Sequence, residues 1–344
     1  MGAGRQDMTE SRCVRREPGL LRWGLATLAL ASCACGSSGS RSSVPTPARE
    51  EALAATRVED WSQAASLWHA LFLADPDRPV EACREAARAL IRLEDPESAA
   101  KLLDLGRRAH PEDPDLLALK GEALVAMGFR RAAEESFEHA LRIDPLRVDA
   151  LIALGRLRID LGLESSAVEP LQRAVDITGG DFETLRLLAK ALRESGLAPK
   201  AYSTWVKAFS MGPGTVDDLV EAATLFLDDS FRGAHPESGE QMCTWLRTAV
   251  ERDPQCVRAH FQLGVLCEEM GRREEAIEHY RRAVEIDPGC LMALTNLAIL
   301  YSNHGDEPNA REMVVRALAL EQDGNRRRAL QKLLDPFEKS GETP

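Results

Sequence analysis

Aromatic residues are scarce in this chain: nine Phe, five Trp and three Tyr make up 5% of its 344 residues. Cysteine is scarce as well, and eight in a chain this long are far too few for a disulfide scaffold. Positive charge is short, with Lys+Arg 43 against Asp+Glu 55 and a formal net charge of −12. That balance excludes a nucleic-acid binder working through bulk electrostatics, which needs a basic face for phosphate. No long apolar run is present; the stretch from Trp23 to Ser32 falls well below the ~20 residues of a spanning helix. Motifs of catalysis are missing too: there is no G-x-x-x-x-G-K-[ST], no G-x-S-x-G, no H-E-x-x-H and no C-x-x-C. What the chain has is leucine and alanine in quantity, with 44% hydrophobic and 28% charged residues. This describes a folded, acidic, mainly helical protein, and at ~150 residues per domain the length alone suggests two domains.

The first segment is set apart by its pattern. Residues 1–32 carry five arginines (Arg5, Arg12, Arg15, Arg16 and Arg22) against three acids, followed by the short apolar run and a small-residue exit. These are the parts of a secretory signal peptide. The exit Leu30-Ala31-Ser32-Cys33 resembles the lipobox of bacterial lipoproteins, which implies cleavage before Cys33 and acylation of its thiol. By the same resemblance, Ala34 in place of an aspartate implies sorting to the outer membrane, facing the periplasm. The alternative is an ordinary signal peptide with incidental cysteines. Residues 33–44 then form the lipidated N-terminus and a Gly/Ser linker; the tract ACGSSGSRSSVPTP, fourteen residues long, reaches ~20 Å as a flexible coil.

From residue 45 the chain repeats itself. Pro76, Pro111, Pro145, Pro213, Pro254 and Pro288 are spaced by 35, 34, 68, 41 and 34 residues, one or two periods of 34 apart from the 41. Eight units follow, at 45–78, 80–113, 114–147, 148–181, 182–215, 216–256, 257–290 and 291–324. Their eighth position is always small: Ala52, Ala87, Gly121, Gly155, Ala189, Ala223, Gly264 and Ala298. The twentieth is alanine in every unit except the sixth, where Met242 stands. Helices approach closely only where facing residues are small, and the large residues Trp68, Phe137, Trp205 and Tyr280 at position 24 fill what is left. Gly128, Gly162, Gly196, Gly271 and Gly305 fall where a first helix must end in a left-handed cap.

This pattern resembles the tetratricopeptide repeat (TPR), best in 257–290 with Leu263-Gly264, Gly271, Ala276, Tyr280, Ala283 and Pro288. The resemblance implies an all-α, right-handed superhelical solenoid of about eight helix–turn–helix units. Residues 325–344 supply a capping helix and tail to cover its last apolar face. Unit 45–78 is degenerate, unit 148–181 has Gly179 in place of proline, and unit 216–256 carries an insertion around Phe231–Pro236 that lengthens the turn between its helices. The solenoid replaces the two-domain estimate.

In this family the first helices line a concave groove, and the positions expected to face it give the candidate site. They are Arg156; Arg186, Lys190 and Arg193; Val220 and Thr224; Phe261 and Val265; and Asn296 and Ile299. A basic centre beside an apolar stretch suits a peptide with an acidic element, against the plainer reading of a solvated face balancing nearby acids. The carboxylate clamp of chaperone-binding TPR domains is not expected: Asn296 matches its middle asparagine, but Phe261 and Val265 stand where a lysine and an asparagine belong. The scattered histidines suggest no metal, no cofactor is called for, and one conceivable disulfide joins Cys243 to Cys267. The resemblance extends to TPR lipoproteins that help assemble outer-membrane machines such as type IV pilus secretins. The expected role is therefore a non-enzymatic scaffold, lipid-anchored in a bacterial envelope, with one or more envelope proteins in its groove. The alternatives are an adaptor or regulatory subunit recruiting an envelope hydrolase or protease, and a cytosolic co-chaperone.

Overall fold

Aspartates set where many helices begin. Asp60, Asp95, Asp113, Asp181 and Asp306 each precede a helix and accept the backbone N–H three residues on. Each thereby satisfies one of the donors that a helix start leaves open. Thr215 and Asp218 do this reciprocally, as a capping box. The structure is a computed structural model and describes residues 47–75 and 79–340. The leader, the linker and Cys33 lie outside the described residues.

Eighteen α-helices and no strands occur among the described residues. They follow one another as pairs: α1 (Pro47–Arg57) with α2 (Trp61–Ala74), α3 (Val80–Arg92) with α4 (Pro96–Ala109), and α5 (Pro114–Ala126) with α6 (Arg130–Ile143). Next come α7 (Val148–Asp160) with α8 (Glu164–Thr178), and α9 (Phe182–Glu194) with α10 (Ala198–Met211). In the sixth unit α11 (Val216–Ala223) runs into a 3-10 turn at Thr224–Leu227 and the short α12 (Asp229–Ala234) before α13 (Ser238–Arg252). The series closes with α14 (Val257–Glu269) and α15 (Arg273–Ile286), α16 (Leu291–Asn303) and α17 (Glu307–Leu320), and α18 (Gly324–Ser340). The long helices pack on their neighbours in sequence except at the start of the sixth unit, where α11 packs on α13 and α14 rather than on α10. First helices of successive units also touch, as α3 does α5, α5 does α7 and α7 does α9. The result is a solenoid of stacked pairs.

The small positions explain how closely a pair packs. Ala64, Ala99, Ala133, Ala167, Ala201, Ala276 and Ala310, the alanines of position 20, are fully buried, and so is Met242. At position 8 the fit is tightest: a methyl group on Gly264 would lie 2.6 Å from the ring of Tyr280, and one on Gly121 or Gly155 would strike Phe137 or Leu171. The five glycines between helices of a pair have φ from 71° to 81°, the left-handed cap expected of them. In the first two units Glu59 and Glu94 hold that conformation instead, at φ 58° and 57°.

The sixth unit differs from expectation. Its insertion is not simply a longer turn but forms α12, whose Phe231 is buried against Tyr202 with ring centroids 5.6 Å apart. Tyr202 and Phe209 of α10 also pack on Trp245 of α13, at 5.9 and 5.0 Å. The few aromatics of the chain are thus concentrated where the repeat is irregular and small residues cannot close the gap. At the other end α18 covers α17: Leu330 is buried, and Arg327 donates to the carbonyl oxygens of Leu318 (2.6 Å) and Glu321 (3.2 Å).

Candidate functional site

The wall built by the first helices is laced with ion pairs that cross from one repeat to the next. Arg49 of α1 reaches Glu81 of α3 at 2.7 Å. Arg84 of α3 reaches Asp115 of α5 at 2.5 Å, and Arg147 at the start of α7 takes the other oxygen of Asp115 and also pairs with Asp149 at 2.9 Å. Further along, Arg156 of α7 pairs with Glu183 of α9 at 3.2 Å. The acids of this ladder, Glu81, Asp115, Asp149, Glu183 and Asp217, occupy the second position of five successive units. That regularity is visible in the sequence and was the signal for them.

The expected basic centre is matched by these acids. Arg186 makes two hydrogen bonds of 2.7 Å to Glu183 and lies 3.6 Å from Asp218. The hydrogen bonding holds the Glu183 carboxyl below its usual range and raises Arg186 further. Lys190 pairs with Glu221 at 2.7 Å. Arg193 reaches Glu221 at 3.4 Å, pairs with Glu194, and donates to the Thr224 hydroxyl at 2.8 Å. Arg186, Lys190, Arg193 and Thr224 therefore do come together, but as one neutralised cluster tying α9 to α11.

Val220 corrects the sequence reading, since it is fully buried and has no groove surface. The reason is that α11 is short and enclosed: it is packed by α13, α14 and the 3-10 turn, and Asp218, Leu219, Val220, Ala222 and Ala223 are all buried. Phe261 and Val265 are half-buried and pack against the core, Phe261 with its ring 5.8 Å from that of Tyr280. Asn296 donates its amide to the Tyr280 hydroxyl at 2.9 Å, and that hydroxyl donates to Glu268 at 3.0 Å. Burial first, then Glu268, raises the Tyr280 pKa. Asn296 thus serves an internal network across two repeats, while Ile299 stays half-buried on the same helix. The Phe261–Asn296 group is separate from the α9–α11 cluster, whereas Arg156 joins that cluster through Glu183, which it shares with Arg186.

A recess remains on the wall between α5 and α7, with a volume of about 430 Å³. Val125, Ile152 and Leu157 give it an apolar floor, and Glu122, Asp149 and Asp160 stand at its rim. Desolvation in the recess, and then Asp149 beside it, raise the Glu122 carboxyl above its usual range. Neither Glu122 nor Asp160 forms an ion pair among the described residues. Arg156 lines the recess too but is paired with Glu183, and Arg88 and Arg92 of α3 partly offset Glu122. The unpaired charges of the recess lining are therefore the carboxylates Glu122 and Asp160, where the sequence reading expected a basic centre.

Two family profiles, each described as tetratricopeptide repeat, match the chain over residues 257–290 and 118–182. The crystal structure of YrrB, titled as a TPR protein with an unusual peptide-binding site, superposes with a TM-score of 0.52 at 16% identity. The match covers 57% of this chain and 97% of that one. A tetratricopeptide repeat protein from Parabacteroides merdae gives 0.46 at 16% identity, covering 74% and 98%. A thermophilic TPR protein of Thermus thermophilus gives 0.41 at 20%, covering 51% and 95%. No curated protein matches the sequence. The matched segments are tetratricopeptide repeats, and the fold is a TPR solenoid. Proteins of this kind generally mediate protein–protein interactions.

Proposed function

We propose that this solenoid is a lipid-anchored scaffold of a bacterial envelope, which holds a segment of another protein against its first-helix wall. The recess between α5 and α7 carries the reading: it combines an apolar floor with two carboxylates, Glu122 and Asp160, that form no ion pair among the described residues. An apolar side chain lying beside a lysine or arginine suits it, because the floor takes the hydrocarbon and the rim takes the charge. An acidic segment is disfavoured, since Arg156, Arg186, Lys190 and Arg193 are already engaged by carboxylates of the solenoid. The net charge of −12 points the same way. The leader, the lipobox-like exit at Cys33 and the Gly/Ser linker support export, anchoring and a tether; assembly of an outer-membrane machine is the role such a layout suits. Recognition without turnover is the chemistry we assign to it.

Two measurements test the proposal separately. Cys33→Ala is expected to move the protein from the membrane to the soluble fraction of the envelope, and unchanged fractionation would sink the anchor. A photoreactive residue at Ile152 should capture a protein partner in living cells, and the charge reversals Glu122→Lys and Asp160→Lys should abolish that capture. Capture that is indifferent to both reversals would place the docking site elsewhere on the solenoid.

A further inference from the structure

Away from the recess, α14 and α15 bring two imidazoles together at their Nδ1 edges. His260 and His279 have ring centroids 5.7 Å apart at an interplanar angle of 36°, and their Nδ1 atoms are separated by 3.4 Å. The other nitrogen of His260, Nε2, lies 3.3 Å from the carbonyl oxygen of Pro254. A carbonyl only accepts, so Nε2 carries the proton and donates it, and the tautomer of His260 is fixed with a lone pair at Nδ1. Without a metal, the Nδ1–H of His279 donates to that lone pair.

The same spacing has a second meaning. An ion held by imidazole at ~2.0–2.1 Å in tetrahedral geometry keeps its two nitrogens ~3.3–3.4 Å apart. The two Nδ1 atoms stand at that bite. Donation of the far N–H to a backbone carbonyl is also how metal-bound histidines are usually oriented. The pair sits on the wall of an open pocket of about 730 Å³, with Glu274 and Glu278 on the same wall. His260 is nearly buried and His279 half-buried. Desolvation lowers both pKa values, and the neighbouring ring lowers that of His279 further. Among the described residues no three His, Cys, Asp or Glu side chains converge as a ligand set, so the remaining positions fall to water. Arg281 and Arg282 line the pocket too, but Arg282 is paired with Glu285 at 3.1 Å.

We propose that His260 and His279 form a two-imidazole binding site for a divalent late transition cation of the Zn²⁺ class, completed by water, in the seventh repeat. Binding replaces the proton bridging the two Nδ1 atoms by the metal: His279 changes tautomer, its proton passing through solvent from Nδ1 to Nε2, so both ligands are neutral imidazoles and no net proton is released. The site lies apart from the recess between α5 and α7 and does not depend on what docks there.

The test is titration of the full chain, stripped of metal by chelator and kept reduced, with Co²⁺ as a visible probe and Zn²⁺ as competitor. One ion per chain is expected, with the weak d–d bands of nitrogen and oxygen ligation and no intense thiolate charge-transfer band. His279→Ala should weaken binding at least ~10-fold, since it removes one of two protein ligands. His279 is half-buried and tolerates that change better than His260, so helicity by circular dichroism should be unchanged; His235→Ala should leave the affinity as it was. Absence of binding at millimolar Co²⁺ and Zn²⁺ overturns the proposal. So does binding that survives His279→Ala, or a thiolate band, which would move the metal to the cysteines.

Discussion

Gly264 is where a single atom decides the packing of a repeat. Its place on α14 faces the ring of Tyr280 on α15, and an added methyl would sit 2.6 Å from that ring. Tyr280 is fully buried and held at its hydroxyl by Asn296 and Glu268, so it has no room to retreat. Overpacking of this kind costs about 1–3 kcal/mol, and alanine returns up to ~1 kcal/mol of helix propensity. Gly264→Ala is thus expected to destabilise the solenoid by about 1–2 kcal/mol net, read by urea unfolding. A neutral or stabilising result would mean that α14 and α15 can separate without loss. The small eighth position was legible from the sequence. That Tyr280 would also draw Asn296 into the interior was not, because their contact joins different repeats.

Between elements, Asp115 is the acid of the ladder that ties together three successive first helices. One side chain on α5, 13% exposed, serves Arg84 from α3 and Arg147 from the start of α7. Exposed pairs are worth little, but removing a carboxylate shared by two half-buried guanidinium groups leaves both undercompensated. Asp113 and Asp149 take up part of the loss, since they already pair with Arg84 and Arg147. Asp115→Ala is therefore expected to cost about 1–2 kcal/mol, and the difference from the unaltered protein should shrink at high salt. A cost of a few tenths, independent of salt, would reduce the ladder to decoration. The acids at position 2 could be read from the chain as a period. Their cations could not, because these come from positions 2, 5, 9 and 34 of different units, and only the stacking of helices selects among them.

For the whole solenoid, the apolar core is not continuous. One cluster gathers residues from Ala52 to Ala123 and another from Ala167 to Leu330; between them lie two small groups, around Ala140 and around Phe137. Polar contacts do more of the joining there. Arg158 of α7 clasps Glu134 and Glu138 of α6 at 2.9 and 2.8 Å, and Arg147 holds Asp115. Repeat arrays are stabilised by nearest-neighbour interfaces, so the weakest interface divides them. Hydrogen exchange is expected to reveal two blocks of protection that open independently, with the faster-exchanging joint in α6 and α7. Arg158→Met should widen the difference. Uniform protection from α3 to α16 would show a single cooperative unit instead. The recess proposed for docking lies at this joint, so a bound segment should raise protection there first.

The sequence by itself determined the period, the all-helical class, the caps and the places where helices cross closely, because those depend on residues near one another in one repeat. A glycine in a left-handed turn or an aspartate before a helix acts within a few residues of itself, and repetition made each signal loud. Only the tertiary structure decided which charges are spare, why Val220 is interior, how the insertion became α12, and that the Nδ1 atoms of His260 and His279 meet. Each of these rests on side chains brought together from different helices, where stacking and burial choose the partner.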